Sequence, residues 1–312
     1  MTGRPPKRPA RAPARVAPPA AIYDADAPPM ADDAQPWKKR RAPRKAPKGK
    51  RRDDAEANAR AKVAKSAPEA APAPASTAIP LAPSADPAVM AAIAQLRAAG
   101  DPERAASMAA YHKTARACFG APNPAIDEAA KGWRADMAEA PDPLAARLSL
   151  AAGLWDAGGF ETRIAAAKLL TQARIADDGP VWDLIASWVP QFDGWAIADA
   201  VASAGSRRLA ADPTRLDDVE VWTRSAHMWT RRAALVFTLP FAKGRAASPA
   251  RERALGWAAT YAEDRDWFIQ KAVAVWLRSL SIHDAPRVRA FMDAHGPDMK
   301  PFARKEALRL ID

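Results

Sequence analysis

Trp195 and Asp199 stand four residues apart in the segment FDGWAIADAVA, from Phe192 to Ala202. On a helix that spacing places an aromatic face and a carboxylate on one side, a turn apart. A ring face attracts cations through its quadrupole, and a carboxylate stabilises positive charge, so the pair suits a ligand that carries or develops positive charge. A second basic-aromatic group follows in MWTRRAALVF, Met228 to Phe237, where Arg231 and Arg232 come directly after Trp229 and Thr230. Neighbouring helix positions point about 100° apart, so one arginine of such a pair must leave the buried face. The four histidines, His112, His227, His283 and His295, are scattered without metal-ligand spacing. No Gly-rich phosphate loop and no nucleophile-histidine pattern is present.

Helices have to position these residues. Asp86-Pro87, Asp101-Pro102, Asn123-Pro124, Asp142-Pro143 and Asp212-Pro213 each combine a capping side chain with a proline suited to the first helical position. Between these starts apolar residues recur at helical spacing, as in Ile164, Ala167, Leu169 and Leu170, or Trp195, Ala198 and Ala202. The period-2 alternation of a strand is nearly absent. The fold class expected is all-α. Helix pairs recur about every 35 to 40 residues, the period of stacked helical hairpins of the HEAT type, although a compact bundle would share the local pattern.

Composition divides the chain. Residues 1–85 hold most of the 30 prolines and few large apolar side chains, so they cannot offset their chain entropy and are read as a disordered tail. Ten of the 11 tryptophans fall after Pro87, and residues 86–312 are read as one folded domain. Of the 47 basic and 36 acidic residues, 18 and 7 lie in residues 1–66, which carry the whole net charge of +11. The remaining 29 of each, in residues 67–312, leave the rest of the chain neutral overall, so a binding face there must arise from charge segregation. The densest block, Pro36 to Arg52, includes Lys38, Lys39, Arg40 and Arg41 and is suited to phosphate contact through counterion release. The single Cys118 permits no intramolecular disulfide and fits a reducing compartment. No apolar run is long enough for a membrane span, and no secretory signal opens the chain.

Three segments carry a resemblance to a known family: FDGWAIADAVA, MWTRRAALVF, and RDWFIQKAVAVWLRSLS from Arg265 to Ser281. Weaker matches are YHKTARACFGAPNPAI from Tyr111, LWDAGGFETRIAAAKLL from Leu154 and PFARKEALRL from Pro301. In order and spacing the chain resembles the AlkD-like DNA alkylation repair glycosylases, whose HEAT-like helical-repeat solenoid covers essentially all of the segment after the tail. The resemblance implies Asp199 as the catalytic carboxylate and Trp195 as an aromatic wall of the site. It also implies Arg232 as a DNA-contacting arginine, its guanidinium near Asp199 or a phosphate oxygen where it would keep the carboxylate ionised, with Lys271, Arg278 and Tyr111 as further DNA contacts. Arg231 is expected to form a salt bridge to a neighbouring repeat. The chain departs from the family at Val275, which stands where a second pocket tryptophan is usual. Trp276, one residue on and about 100° round the helix, is then either a DNA contact or a structural indole.

The activity implied is excision of cationic N3- or N7-alkylated purines from double-stranded DNA by a monomeric N-glycosylase, without metal or cofactor. No membrane partner is expected, and the expected location is the cytoplasm, at the nucleoid. Two other functions remain open: a damaged-DNA-binding module without bond cleavage, and a helical scaffold tethered by the basic tail.

Overall fold

A computed structural model describes residues 79–244 and 248–311 of the 312-residue chain. The expected tail and its contacts Lys38, Lys39, Arg40 and Arg41 lie outside the described residues. Apart from one isolated bridge pairing Ile79 with Arg116, the regular structure described is helical. The α-helices are α1 (Pro87–Ala98), α2 (Pro102–His112), α3 (Asn123–Asp136), α4 (Pro143–Asp156), α5 (Phe160–Leu169), α6 (Gly179–Trp188) and α7 (Trp195–Ala211). They continue with α8 (Leu216–Thr223), α9 (Met228–Phe237), α10 (Leu239–Ala242), α11 (Pro249–Thr260), α12 (Trp267–Ser281), α13 (Ala285–His295) and α14 (Pro301–Ala307).

The capping logic read from the sequence holds at most of the expected starts. Asp86, Asp101 and Asp142 accept hydrogen bonds from backbone N–H groups of the first turn of α1, α2 and α4, and Asp212 caps a short 3-10 turn before α8. Asn123 is an exception: α3 begins at Asn123 itself, after Pro122, with no side-chain cap. Ser248, Asp266 and Asp284 supply caps for α11, α12 and α13.

Two layers form. In the inner layer α3, α5, α7, α9, α12 and α14 each pack on the next, while α4, α6, α8 and α13 lie outside α5, α7, α9 and α12. Links between successive repeats recur at a nearly constant sequence separation. Trp155 Nε1 donates to Gln191 at 3.0 Å and Trp182 Nε1 to Asp218 at 2.8 Å, both 36 residues apart. Arg231 pairs with Asp264 at 3.3 Å, 33 residues on, the expected bridge to a neighbouring repeat. This ladder favours a helical-repeat solenoid over a bundle, because most links run from one hairpin to the hairpin beside it.

The inner layer is packed through small residues. Ala165, Ala166 and Ala167 of α5 are fully buried, which lets α3 and α7 approach it from either side. Gly205 in α7 is required by contact, since a Cβ there would stand 2.0 Å from Phe237 Cε1 of α9. Aromatic stacking joins neighbouring outer helices, with Trp155 of α4 and Trp188 of α6 parallel at 4.4 Å. Residues 79–85, which composition assigns to the tail, are tied to the domain: Ile79 exchanges backbone hydrogen bonds with Ala115 and Ala117, and Ala82 N–H donates to Ala157.

Candidate active-site cleft

A cleft of about 1080 Å³ opens on the surface formed by α2, α3, α5 and α7. Trp195, Asp199, Ser203 and Arg207 line it from one face of α7, the four-residue rhythm that the sequence pattern predicts for a helix stripe. Tyr111 and His112 line it from the end of α2, and Phe160, Ile164 and Lys168 from α5. Five cationic side chains, Arg104, Lys131, Arg134, Lys168 and Arg207, share the lining with the acids Asp127, Glu128 and Asp199. Lys131 and Lys168 pair with Glu128 and Asp127, which leaves Arg104, Arg134 and Arg207 as the cleft's excess of positive charge beside Asp199.

Local interactions hold the two walls in place. Helix α2 ends directly after His112 because Lys113 takes a left-handed conformation, φ 51°. The loop that follows is fixed by the buried Glu161 of α5, whose carboxylate accepts from the N–H groups of Phe119, Gly120 and Ala121. Gly120, at φ 78°, lets this loop lie on the start of α2, since a Cβ there would meet Asp101 O at 2.1 Å. Arg116 ties the loop to the entry of α7: its guanidinium pairs with Asp193 at 2.6 Å, two residues before Trp195, and donates to Gly158 O. The relative position of Tyr111, His112 and Trp195 is therefore set by a charged strut whose arginine is buried and whose aspartate reaches solvent.

Trp195 is 9% exposed and belongs to an aromatic group. Its ring lies 4.8 Å from His112 and 6.0 Å, edge-on, from Tyr111, while His112 also packs 4.7 Å from Phe160. Asp199 lies one turn along α7. Its Oδ1 accepts a hydrogen bond from Arg232 Nη1 at 2.7 Å, and its Oδ2 is buried without a hydrogen-bond partner. Burial raises the Asp199 pKa above the ordinary aspartate value, and the Arg232 charge and hydrogen bond oppose that rise. An indole, a carboxylate with one unsatisfied oxygen and cationic side chains around them can receive a cation attached to a polyanion.

The remaining residues singled out in the sequence are distributed unequally. Tyr111 is at the cleft, as are Trp195 and Asp199. Arg232 is only 1% exposed, with its guanidinium on Asp199 and 5.7 Å over the Trp229 ring, so it anchors the carboxylate from below the surface. Lys271 and Arg278 lie on α12 and both approach Glu306 of α14, Lys271 at 3.7 Å. Trp276 corrects the expectation of a DNA contact. It is fully buried, and its indole N–H donates to Thr238 Oγ1 at 3.3 Å, so it is a structural indole of the α9–α12 packing. Val275 is 4% exposed, and no ring from this turn of α12 reaches the surface.

His112, Phe160, Lys168 and Arg207 of the cleft were not picked out as functional by sequence reasoning. Arg207 could have been found, because it continues the Trp195–Asp199 stripe by two further turns. His112 carried no signal, since its partners Phe160 and Trp195 are distant in the chain.

Among the described residues no helix is long and apolar enough to cross a membrane, and no group of three or more His, Cys, Asp or Glu side chains is placed to hold a metal ion.

Comparison with known proteins follows the same outline. Among curated proteins none matches the chain. A solved structure described as a predicted DNA alkylation repair enzyme from Enterococcus faecalis superposes with a TM-score of 0.58 at 22% identity, covering 68% of this chain and 96% of that one. That likeness supports the helical-repeat fold. AlkD2 from Streptococcus mutans matches with a TM-score of 0.46 at 18% identity, over 58% of this chain and 90% of that one. The family model described as DNA alkylation repair enzyme matches residues 92–311, which include the cleft and both its walls, and the chain belongs to that family of repair enzymes.

Proposed function

We propose that the protein is a DNA N-glycosylase that releases cationic N3- or N7-alkylated purines. One observation carries this reading: an indole and a buried carboxylate share one face of α7 in a basic cleft, and the carboxylate retains an unsatisfied oxygen.

A purine alkylated at N3 or N7 carries a formal positive charge, which the Trp195 ring attracts more strongly in a partly dry cleft than in water. As the glycosidic bond lengthens, the electron pair moves to the base, which leaves neutral, and positive charge appears on the deoxyribose. No proton has to be supplied to this leaving group. Asp199 lines the cleft with a side chain 11% exposed and is the carboxylate that opposes that developing charge; its Oδ2, which has no hydrogen-bond partner, is the oxygen left to accept a proton from the attacking water. Arg232, on Oδ1, holds the carboxylate in one orientation and opposes the rise in pKa that burial imposes. Arg207, Arg104 and Arg134 offer charge to phosphates on either side of the lesion, while Lys168 is paired with Asp127 at 2.5 Å. The HEAT-like surface gives such a duplex an extended face on which to lie.

The experiment is release of free 7-methylguanine or 3-methyladenine from methylated duplex DNA. The wild type is expected to release the base and Asp199→Asn to bind the same DNA with release abolished or greatly slowed. Selective binding of damaged DNA without release would favour a recognition module instead.

A further inference from the structure

His112 is the one imidazole lining the cleft among the described residues, and the glycosylase mechanism leaves it without a role. Its imidazole lies 4.8 Å from Trp195, 4.7 Å from Phe160 and 4.8 Å from Tyr111. Nδ1 is sealed from solvent and has no hydrogen-bond partner, whereas the residue itself lines the cleft. Burial among these rings lowers the His112 pKa to about 4, so the imidazole is neutral near pH 7.

A neutral imidazole carries one N–H and one bare lone pair. An orphaned N–H is rarer in protein interiors than an under-satisfied acceptor, which favours the lone pair on the sealed Nδ1 and the proton on Nε2. The cleft then holds a donor without charge beside Trp195. A cationic donor in that place would repel an alkylated purine, whereas a neutral one can read its edge.

We propose that His112 donates its Nε2 hydrogen to an acceptor on the purine held against Trp195 (O6 of a 7-alkylguanine, N7 of a 3-alkyladenine) and so sets which bases the cleft accepts. This rests on the alkylpurine reading of the cleft. It assigns to α2 a recognition role that α12, with Val275 and Trp276 buried, does not fill.

His112→Phe, His112→Gln and His112→Asn test it with duplexes containing one 7-methylguanine or none. Phe keeps the ring without a donor, Gln places an amide N–H close to the Nε2 position, and Asn places one close to Nδ1. His112→Phe is expected to melt like the wild type, to lose about tenfold in kcat/KM for base release, and to lose preference for the modified duplex while binding unmodified DNA as before. His112→Gln is expected to recover most of the rate and His112→Asn not. Wild-type release by His112→Phe would overturn the proposal, as would equal weakening on both duplexes, which would mark a backbone contact. Equal rates for the Gln and Asn variants would overturn it as well, and this comparison decides should the Phe variant fail to fold. If the wild type releases no base, the glycosylase reading fails, and the binding preference still decides His112: its loss in His112→Phe supports the donor and its retention refutes it.

Discussion

Arg232 stands 33 residues after Asp199, one repeat along the inner layer, and donates Nη1–H to Asp199 Oδ1 at 2.7 Å from a position only 1% exposed. The cation is therefore part of the carboxylate's environment. The family resemblance implied a contact from Arg232 to DNA; at 1% exposure its guanidinium instead meets Asp199.

Removing that guanidinium has two expected effects. Arg232→Gln leaves Asp199 buried without its counter-charge, which should destabilise the fold by about 3–5 kcal/mol, the cost of breaking a buried pair from one side. It should also shift the pH profile. Burial already raises the Asp199 pKa and Arg232 lowers it, so loss of Arg232 raises it further. The proposed mechanism uses the ionised acid, and the acid limb of the pH-rate profile for base release should therefore move to higher pH. A limb that stays put would separate Arg232 from the ionisation of Asp199.

The stability of the wild type should follow the same sign. The folded-state pKa of Asp199 is raised, so the protonated form is the one burial favours. Its contribution to stability is fully present below the unfolded pKa and falls as pH rises through the folded value. Urea titrations across that range should show this slope in the wild type and its loss in Asp199→Asn.

Trp276 and Trp195 should respond oppositely to truncation. Trp276→Ala removes a fully buried indole and its bond to Thr238, at an expected cost of about 3–5 kcal/mol. Trp276→Phe should remain folded with unchanged affinity for DNA, as measured by fluorescence anisotropy. Trp195→Ala should reduce lesion preference and base release more than it reduces stability. A loss of DNA affinity in Trp276→Phe at unchanged melting temperature would restore Trp276 as a DNA-facing residue.

These two tryptophans show how far sequence can be read. The helices were legible because Asp-Pro starts and apolar stripes are local signals, and so was the spacing of Trp195 and Asp199, which a single helix fixes. The step from hairpins to a stacked ladder depended on pairs such as Trp155–Gln191 and Trp182–Asp218, which only the fold brings together. Trp276 misled because helical periodicity states which residues share a face and leaves open whether that face turns inward. The aromatic group around His112 was illegible for a similar reason, since it assembles from α2, α5 and α7 through the Glu161 and Arg116 struts.

The basic segment around Lys38, Lys39, Arg40 and Arg41 is expected to add sequence-blind affinity. Deleting residues 1–78 should weaken binding to any duplex and reduce the slope of log K against log salt by about 0.9 for each phosphate that the segment neutralises. Preference for damaged DNA should persist. An unchanged slope would leave that segment without a role in DNA binding.

The most direct measurement is single-turnover release of base from a duplex containing one 7-methylguanine, with wild type and Asp199→Asn each saturating the DNA. Free 7-methylguanine should appear with the wild type, and Asp199→Asn should slow it by a factor on the order of 10² to 10³. Equal rates for the two proteins, or no release by the wild type, would contradict a carboxylate-assisted glycosylase.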